Sequence, residues 1–297
     1  MTDRRYVILE GRGILKVAGP DSRTFLQGLI SNDVNKVSSV QAIYATFLTP
    51  QGRFLHDFFI AEIGDALFLD CEAARLDDLK RRLAMFKLRS KVEISDATVE
   101  YAVAAVIGEG VVSAFGLSAR LGQAKPWEGG IAFVDPRLAS AGVRALLPRG
   151  RAAQILEAGG FAAGPMADYE RMRLSLGLPD GSRDMPVEKA ILLENGLDEL
   201  NGIDWNKGCY LGQELTARTK HRGLVRKRLL PVTIDGPKPA PGTPVMAGGE
   251  EAGEMHSAIE GIGLAMLRLE YLEKAGGPVL TAGPARVTPK KPAWAVF

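Results

Sequence analysis

Beyond Gly223 the chain has no segment that reads as a helix of ordinary length. Leu224 to Ile234 alternates in polarity, then Pro237, Pro239, Pro241, Gly242 and Pro244 break the backbone in quick succession. Short apolar runs follow near Val245, Ile262 to Leu267, Pro278 to Leu280 and Ala285 to Val287. Each proline removes a backbone donor and fixes φ, so it ends the element that precedes it. Short strands at near-even spacing with Gly and Pro turns predict a small β-barrel. A single helical turn at Glu270 to Lys274 is the one exception expected. The boundary is placed near Leu224, with residues 224–297 as the barrel domain.

The first 223 residues read differently. Ile14 to Ala18 is a predicted strand, followed by a helix opened by Pro20 that turns Phe25, Leu26, Leu29 and Ile30 inward. Strands at Tyr44–Thr49, Phe54–Glu62 and Ala66–Cys71, joined by tight turns, form an antiparallel meander. A helix with Leu76, Leu79, Leu83 and Phe86 at buried-stripe spacing comes next. Lys80, Arg81, Arg82, Lys87, Arg89 and Lys91 fall on or just after it, as a solvated face or a binding surface. A strand near Val92 and another at Val99–Ile107 complete a predicted ferredoxin-like α+β unit. Strands at Gly130–Val134 and Val143–Pro148 then lead into a helix at Ala152–Ala158. At 297 residues, with 46% hydrophobic and 24% charged side chains, the chain is expected to be a soluble globular protein of two or three domains. No apolar run is long enough to span a bilayer.

The densest chemical signal is Lys207-Gly208-Cys209-Tyr210-Leu211-Gly212-Gln213-Glu214-Leu215-Thr216-Ala217-Arg218. From Lys207 to Arg228 there are seven Lys or Arg against one acid, Glu214, whereas the other 275 residues hold 30 bases and 34 acids. The basic charge is therefore local. Leu211 and Leu215 lie one helical step apart, cations fill the last turn, and Gly223 suits a left-handed cap. This places Cys209 at or just before a helix N-terminus, where orphan N–H groups and Lys207 favour thiolate. Glu214 and Arg218 are spaced for an i,i+4 pair. The other cysteine, Cys71, ends an apolar strand and reads as packing. His56, His221 and His256 lack paired ligand spacing, and neither a glycine-rich phosphate loop nor a G-x-S-x-G elbow occurs.

The K-G-C-Y-L-G-Q-E-L-T-A-R run resembles the signature of the YgfZ family, folate-binding relatives of the glycine-cleavage T-protein. The continuation Gly223 to Leu229 is most similar to the mitochondrial-type iron–sulfur cluster assembly factor branch. Gly19 to Gly28, Asn32-Asp33-Val34, Lys87 to Val92, Tyr169 to Leu178 and Leu193-Glu194-Asn195 are similar to other family motifs. The resemblance thus extends over nearly the whole chain. It implies the T-protein fold: an α+β, three-domain ring about a central folate hole, the first two domains interleaved within residues 1–223 and a β-barrel C-terminal to them.

The resemblance also implies tetrahydrofolate, including polyglutamylated forms, as the cofactor. Tyr44, Asp57, Arg173, Glu194, Asn195, Gln213 and Arg218 are the implied folate contacts. Cys209, Lys207 and Asp57 are the implied chemical residues, with Cys209 a candidate transient iron–sulfur ligand and no resident metal. Asp57 marks either retained transferase chemistry or a hydrogen bond to the pterin. Two functions stay open: an accessory factor for [4Fe–4S] proteins working with A-type scaffold or carrier proteins, and a folate-dependent one-carbon transferase. An effect on tRNA modification is expected to be indirect, and direct tRNA binding weak. The charged N-terminus reads as neither signal nor transit sequence, and two unpaired cysteines imply a reducing compartment. A cytoplasmic monomer without membrane attachment is expected.

Overall fold

The computed structural model describes residues 4–223, 225–272 and 279–297. Leu224 and residues 273–278, which include part of the predicted turn at Glu270–Lys274 and the start of the run at Pro278, lie outside the described residues.

The chain divides into two units that alternate along the sequence. The first comprises Met1–Leu48, Leu55–Tyr169 and Leu200–Leu211, and the second Thr49–Phe54, Glu170–Glu199 and Gly212–Phe297. The first unit holds strands β1 (Arg5–Ile8), β2 (Arg12–Ala18), β3 (Ile43–Leu48), β4 (Phe54–Ile63), β5 (Ala66–Glu72), β6 (Glu93–Asp96), β7 (Tyr101–Ile107), β8 (Ala124–Trp127), β9 (Gly130–Val134), β10 (Val143–Pro148) and β11 (Ala162–Ala163). They form two sheets, a five-stranded one in the order β3-β4-β5-β2-β6 and a six-stranded one in the order β11-β1-β7-β10-β9-β8. The meander is present as β3-β4-β5. The ferredoxin-like grouping is corrected, because β7 leaves the first sheet to pair with β1 and β10 in the second. Its Ala102, Ala104 and Val106 are buried there with Phe115, Phe161 and Leu156, an apolar face that the first sheet does not supply.

Helices α1 (Ser22–Gln27), α2 (Leu76–Lys87) and α3 (Ala152–Ala158) cover these sheets. Leu76, Leu79 and Leu83 of α2 are buried as their spacing requires. Phe86 sits at the rim, 37% exposed and edge-on to Phe47. The basic run is half solvated and half used: Asp78 accepts from Arg81 and Arg82 at 2.6 Å and 2.9 Å. The division between the units falls within helix α4 (Met166–Leu176).

In the second unit, helix α5 (Gln213–Arg222) ends on Gly223, whose φ of +60° is the left-handed cap that its position predicts. A closed six-stranded barrel follows, built from β12 (Lys227–Asp235), β13 (Pro244–Ala247), β14 (Glu250–Ile259), β15 (Ile262–Arg268), β16 (Leu280–Ala282) and β17 (Ala285–Pro289) in the order β12-β15-β14-β13-β16-β17. Leu230, Val232 and Ile234 alternate into its core, while Leu229 and Leu264 face outward onto Leu174. Closure leaves no free edge, which is how strands this short become stable. Among the described residues no helix is long and apolar enough to cross a membrane.

Candidate functional site

Two sequence motifs about 180 residues apart form one substructure in the first unit. After α1 the chain turns so that the carbonyls of Gln27, Ile30 and Asn32 converge, and the Lys207 ammonium donates to them at 2.9, 2.6 and 2.7 Å. Three acceptors match the three N–H bonds of an ammonium. Burial pushes the Lys207 pKa down to about 8, against the upward pull of Asp33 and Asp204. The carbonyl cage needs the charged form and opposes that fall. The Tyr210 ring lies 5.2 Å from the same ammonium. Further pins hold the loop: Leu211 N–H donates to Gly28 O at 3.0 Å, Asp204 N–H to Ser31 O at 3.0 Å, and Lys36 pairs with Asp204 at 2.5 Å. Cys209 stands exposed on this anchored loop with its thiol free.

This geometry corrects the expected surroundings of Cys209. Gly212 takes φ +81° as the residue before α5, so the helix begins at Gln213 and Leu211 lies outside it. Tyr210, Leu211 and Gly212 therefore separate Cys209 from the helix end, and Lys207 turns to backbone carbonyls. The expected Glu214–Arg218 pair is also corrected. Both side chains are exposed, no ion pair joins them among the described residues, and Lys220 is the helix cation that pairs, with Asp198 at 2.9 Å. Gln213 is half-buried at the first position of the helix.

Asn32 connects the cysteine loop to the first sheet. Its Nδ2 donates to Tyr44 O and Asn201 O, both at 2.8 Å. On that sheet the Tyr44 hydroxyl donates to Asp57 Oδ2 at 2.8 Å, with both side chains buried. Burial, reinforced by the Asp57 charge, raises the Tyr44 pKa well above that of a free phenol. The Arg137 guanidinium lies 5.4 Å from the Tyr44 ring and 4.8 Å from the Phe59 ring, and Arg144 lies 4.0 Å from Phe59. Asp135 holds Arg137 through Oδ1 and Oδ2 at 3.1 Å and 2.8 Å. Asp70, fully buried, accepts from Arg12 and Arg144, each at 2.6 Å. Arg12, Asp70, Asp135, Arg137 and Arg144 were missed by sequence reasoning. The available signal was a charge inside an apolar strand pattern, as in Phe68-Leu69-Asp70-Cys71 and Val143-Arg144-Ala145, which a core position tolerates only when paired.

Arg173, Glu194 and Asn195 belong to the second unit. Arg173 is fully buried, and its guanidinium is committed to Glu170 at 2.9 Å and 2.8 Å and to Asp184 at 2.7 Å. It is the hub of an ion network, with none of the solvent exposure of a helix-surface arginine. Burial raises the Glu194 pKa, opposed by Lys227 and Arg53. Asn195 donates Nδ2 to Ile191 O at 2.9 Å, while its buried Oδ1 has no partner among the described residues. Among those residues no group of three or more His, Cys, Asp or Glu is placed to hold a metal ion.

Residues 10–112 match the GCVT N-terminal domain, and residues 226–297 match the C-terminal β-barrel domain of CAF17. The chain is 36% identical over 294 residues to the mitochondrial iron–sulfur cluster assembly factor IBA57 of Mus musculus, covering 89% of this chain and 78% of that one. It is 35% identical over 291 residues to the Homo sapiens protein of the same name, covering 91% and 78%. Among solved structures, the glycine cleavage system aminomethyltransferase T of Bartonella henselae superposes with a TM-score of 0.77 over 97% of this chain and 85% of that one. The sequence identity is 15%, so this likeness is one of fold. The expected cytoplasmic location is overturned by the relatives, which are named as mitochondrial.

Proposed function

Because the chain belongs to the IBA57 family of iron–sulfur cluster assembly factors, we propose that it is a tetrahydrofolate-binding accessory factor in the assembly or maintenance of [4Fe–4S] proteins. Cys209 is its working residue, and an iron–sulfur carrier of the A type is its partner. The observation that carries this reading is an exposed thiol on a loop fixed at its base by the three-carbonyl cage around Lys207. A fixed, accessible sulfur meets the cluster of a docked carrier without the entropy cost of ordering a mobile loop. Any effect on tRNA modification runs through cluster enzymes that depend on this service.

The folate reading is supported by the fold and by Asn195, whose buried, unpartnered Oδ1 lacks the hydrogen bond that an N–H of a pterin ring edge would supply. An unmet buried acceptor costs roughly 1–3 kcal/mol, which such a donor recovers. Glu194, with its raised pKa, is the second ring-edge partner. In the first unit, Tyr44 and Asp57 form a buried, preformed pair of their own. Arg173 positions α4 through Asp184; with bonds to Glu170, Asp184 and Leu178 O and no exposed surface, it is committed to the ion network.

The test is complementation of cells lacking the gene with Cys209→Ser, read as activity of [4Fe–4S] enzymes, alongside calorimetric titration of the purified variant with tetrahydrofolate. The expected result is loss of complementation with folate binding retained. Full complementation by Cys209→Ser would overturn the role of the thiol.

A further inference from the structure

The basic run of α2 is only partly absorbed by the fold. From Leu79 to Val92 the chain holds six cations and no acid. Arg81 and Arg82 turn back to Asp78, but among the described residues no acid pairs with Lys87, Arg89 or Lys91. The helix stops at Lys87, and Leu88 takes φ +42° and ψ −113°. Positive φ is an outlier for a bulky side chain, and such strain persists where the surroundings hold it or a function uses it. Packing of the side chain does not hold it: Leu88 is 88% exposed and Met85 58%. Phe86, at the rim beside them, completes an apolar tip. The backbone behind the tip is fixed, since Lys91 N–H donates to Asp21 Oδ2 at 2.7 Å. Asp21 lines an open recess with Leu88, Arg89 and Ser90, its carboxylate turned to that amide.

We propose that this tip is a peripheral membrane anchor: Met85, Phe86 and Leu88 enter the headgroup–acyl boundary of an anionic bilayer, and Lys87, Arg89 and Lys91 meet its phosphates. Apolar and basic side chains alternate along Phe86-Lys87-Leu88-Arg89-Ser90-Lys91, the mixture that lies in a bilayer interface. Charge complementarity names the occupant. Cations spread around a protruding apolar tip suit a fluid layer of phosphodiesters better than the shaped, matched surface of a folded partner. A chain without membrane attachment is the expectation when no run can span a bilayer, and no described helix is long and apolar enough to cross one. A surface anchor needs only these few side chains. Phe86 packs on Phe47, Phe47 pairs with Ile30, and the Ile30 carbonyl holds Lys207. The anchor therefore carries the Cys209 loop to the bilayer with it. The inference is independent of the folate reading and of the role given to the thiol.

The experiment is co-sedimentation of the full chain with vesicles of phosphatidylcholine alone and of phosphatidylcholine mixed with phosphatidylglycerol, at low and moderate salt. Wild type, Leu88→Gly and Lys87→Gln/Arg89→Gln are compared. Wild type is expected on the mixed vesicles, with binding that weakens as salt rises, and not on phosphatidylcholine. Leu88→Gly removes an inserted side chain and should weaken binding by about tenfold or more. The double variant loses two surface cations and should weaken it on the order of twentyfold. The substituted side chains are at the surface and glycine takes positive φ freely, so denaturation midpoints should not fall. Lost binding then belongs to the tip and not to unfolding. Wild type that binds neither vesicle, or both equally, overturns the inference, as does undiminished binding by either variant. If the mixed vesicles are not bound but the same variants fail to complement cells lacking the gene, the tip docks a protein and the membrane assignment falls.

Discussion

Lys207 does the work of a bolt, joining the loop that carries Cys209 to the backbone after α1. Replacing it with methionine leaves three inward carbonyls without their donor. At a half-buried site this should cost roughly 1–3 kcal/mol, seen as a lower denaturation midpoint with an unchanged m-value. Amides of the 204–211 loop should exchange faster than in the parent protein, while those of the barrel should not. Cys71 provides an internal control for alkylation of the variant. It is 1% exposed, burial pushes its thiol pKa up to about 12, and it should stay unmodified in the folded chain. The sequence alone picks out Lys207 and Cys209, because a lone thiol among cations departs from background. Their anchorage is not legible there, since the groups that hold Lys207 are main-chain carbonyls with no residue identity. The buried Arg12, Asp70 and Arg144 cluster is hidden for another reason: its members pair across 58 and 74 residues, and no local pattern records that distance.

At the scale of elements, the tip between β3 and β4 and the start of α5 are a tight fit. Gly52 has φ +80°, and a Cβ there would fall 2.6 Å from Gly212 O and 2.6 Å from Leu215 Cβ. Gly52→Ala therefore combines an unfavourable left-handed backbone with a clash. It should destabilise the protein by roughly 2 kcal/mol or more, measured by chemical denaturation. Helix α2 is tied to β4 through His56, whose Nε2 lies 3.0 Å from Asp78 Oδ2. Burial, helped by the positive charge of Arg75, lowers the His56 pKa to about 4, with Asp78 pulling the other way and Arg82 adding to the fall. At neutral pH the contact is thus a neutral imidazole donating to a carboxylate. Asp78 itself stays ionised to about pH 2, because its arginines and His56 outweigh burial. The unfolded chain takes up a proton on His56 near pH 6.5 and the folded chain does not. Stability from this group is therefore lost as pH falls from about 6.5 to about 4, up to roughly 3 kcal/mol. Urea midpoints across that range should show the slope, and His56→Gln should remove it.

At the scale of the whole molecule, the barrel was legible from prolines and short alternating runs, since closing a small sheet needs little beyond those. An interleaved partition of the remainder was implied only by the family resemblance and not by composition or periodicity, because it depends on pairings between distant segments that carry no mark of their own. The barrel is also less independent than its sequence texture implies. Leu229 and Leu264 on its outer face pack on Leu174, and Trp294 Nε1 donates to Leu176 O at 2.6 Å. A fragment of residues 224–297 loses those partners. It should bind a hydrophobic dye and unfold over a broad range, and adding back residues 170–199 should restore a sharp transition. The interleaving of the units has a consequence for biosynthesis. The 49–54 turn leaves the ribosome some 160 residues before Gly212 and Leu215, the atoms it fits against. At cellular elongation rates it must wait on the order of 10 s for them. During that interval the nascent chain presents an incomplete second unit, which makes the turn and α4 the stretch where a chaperone has most to protect.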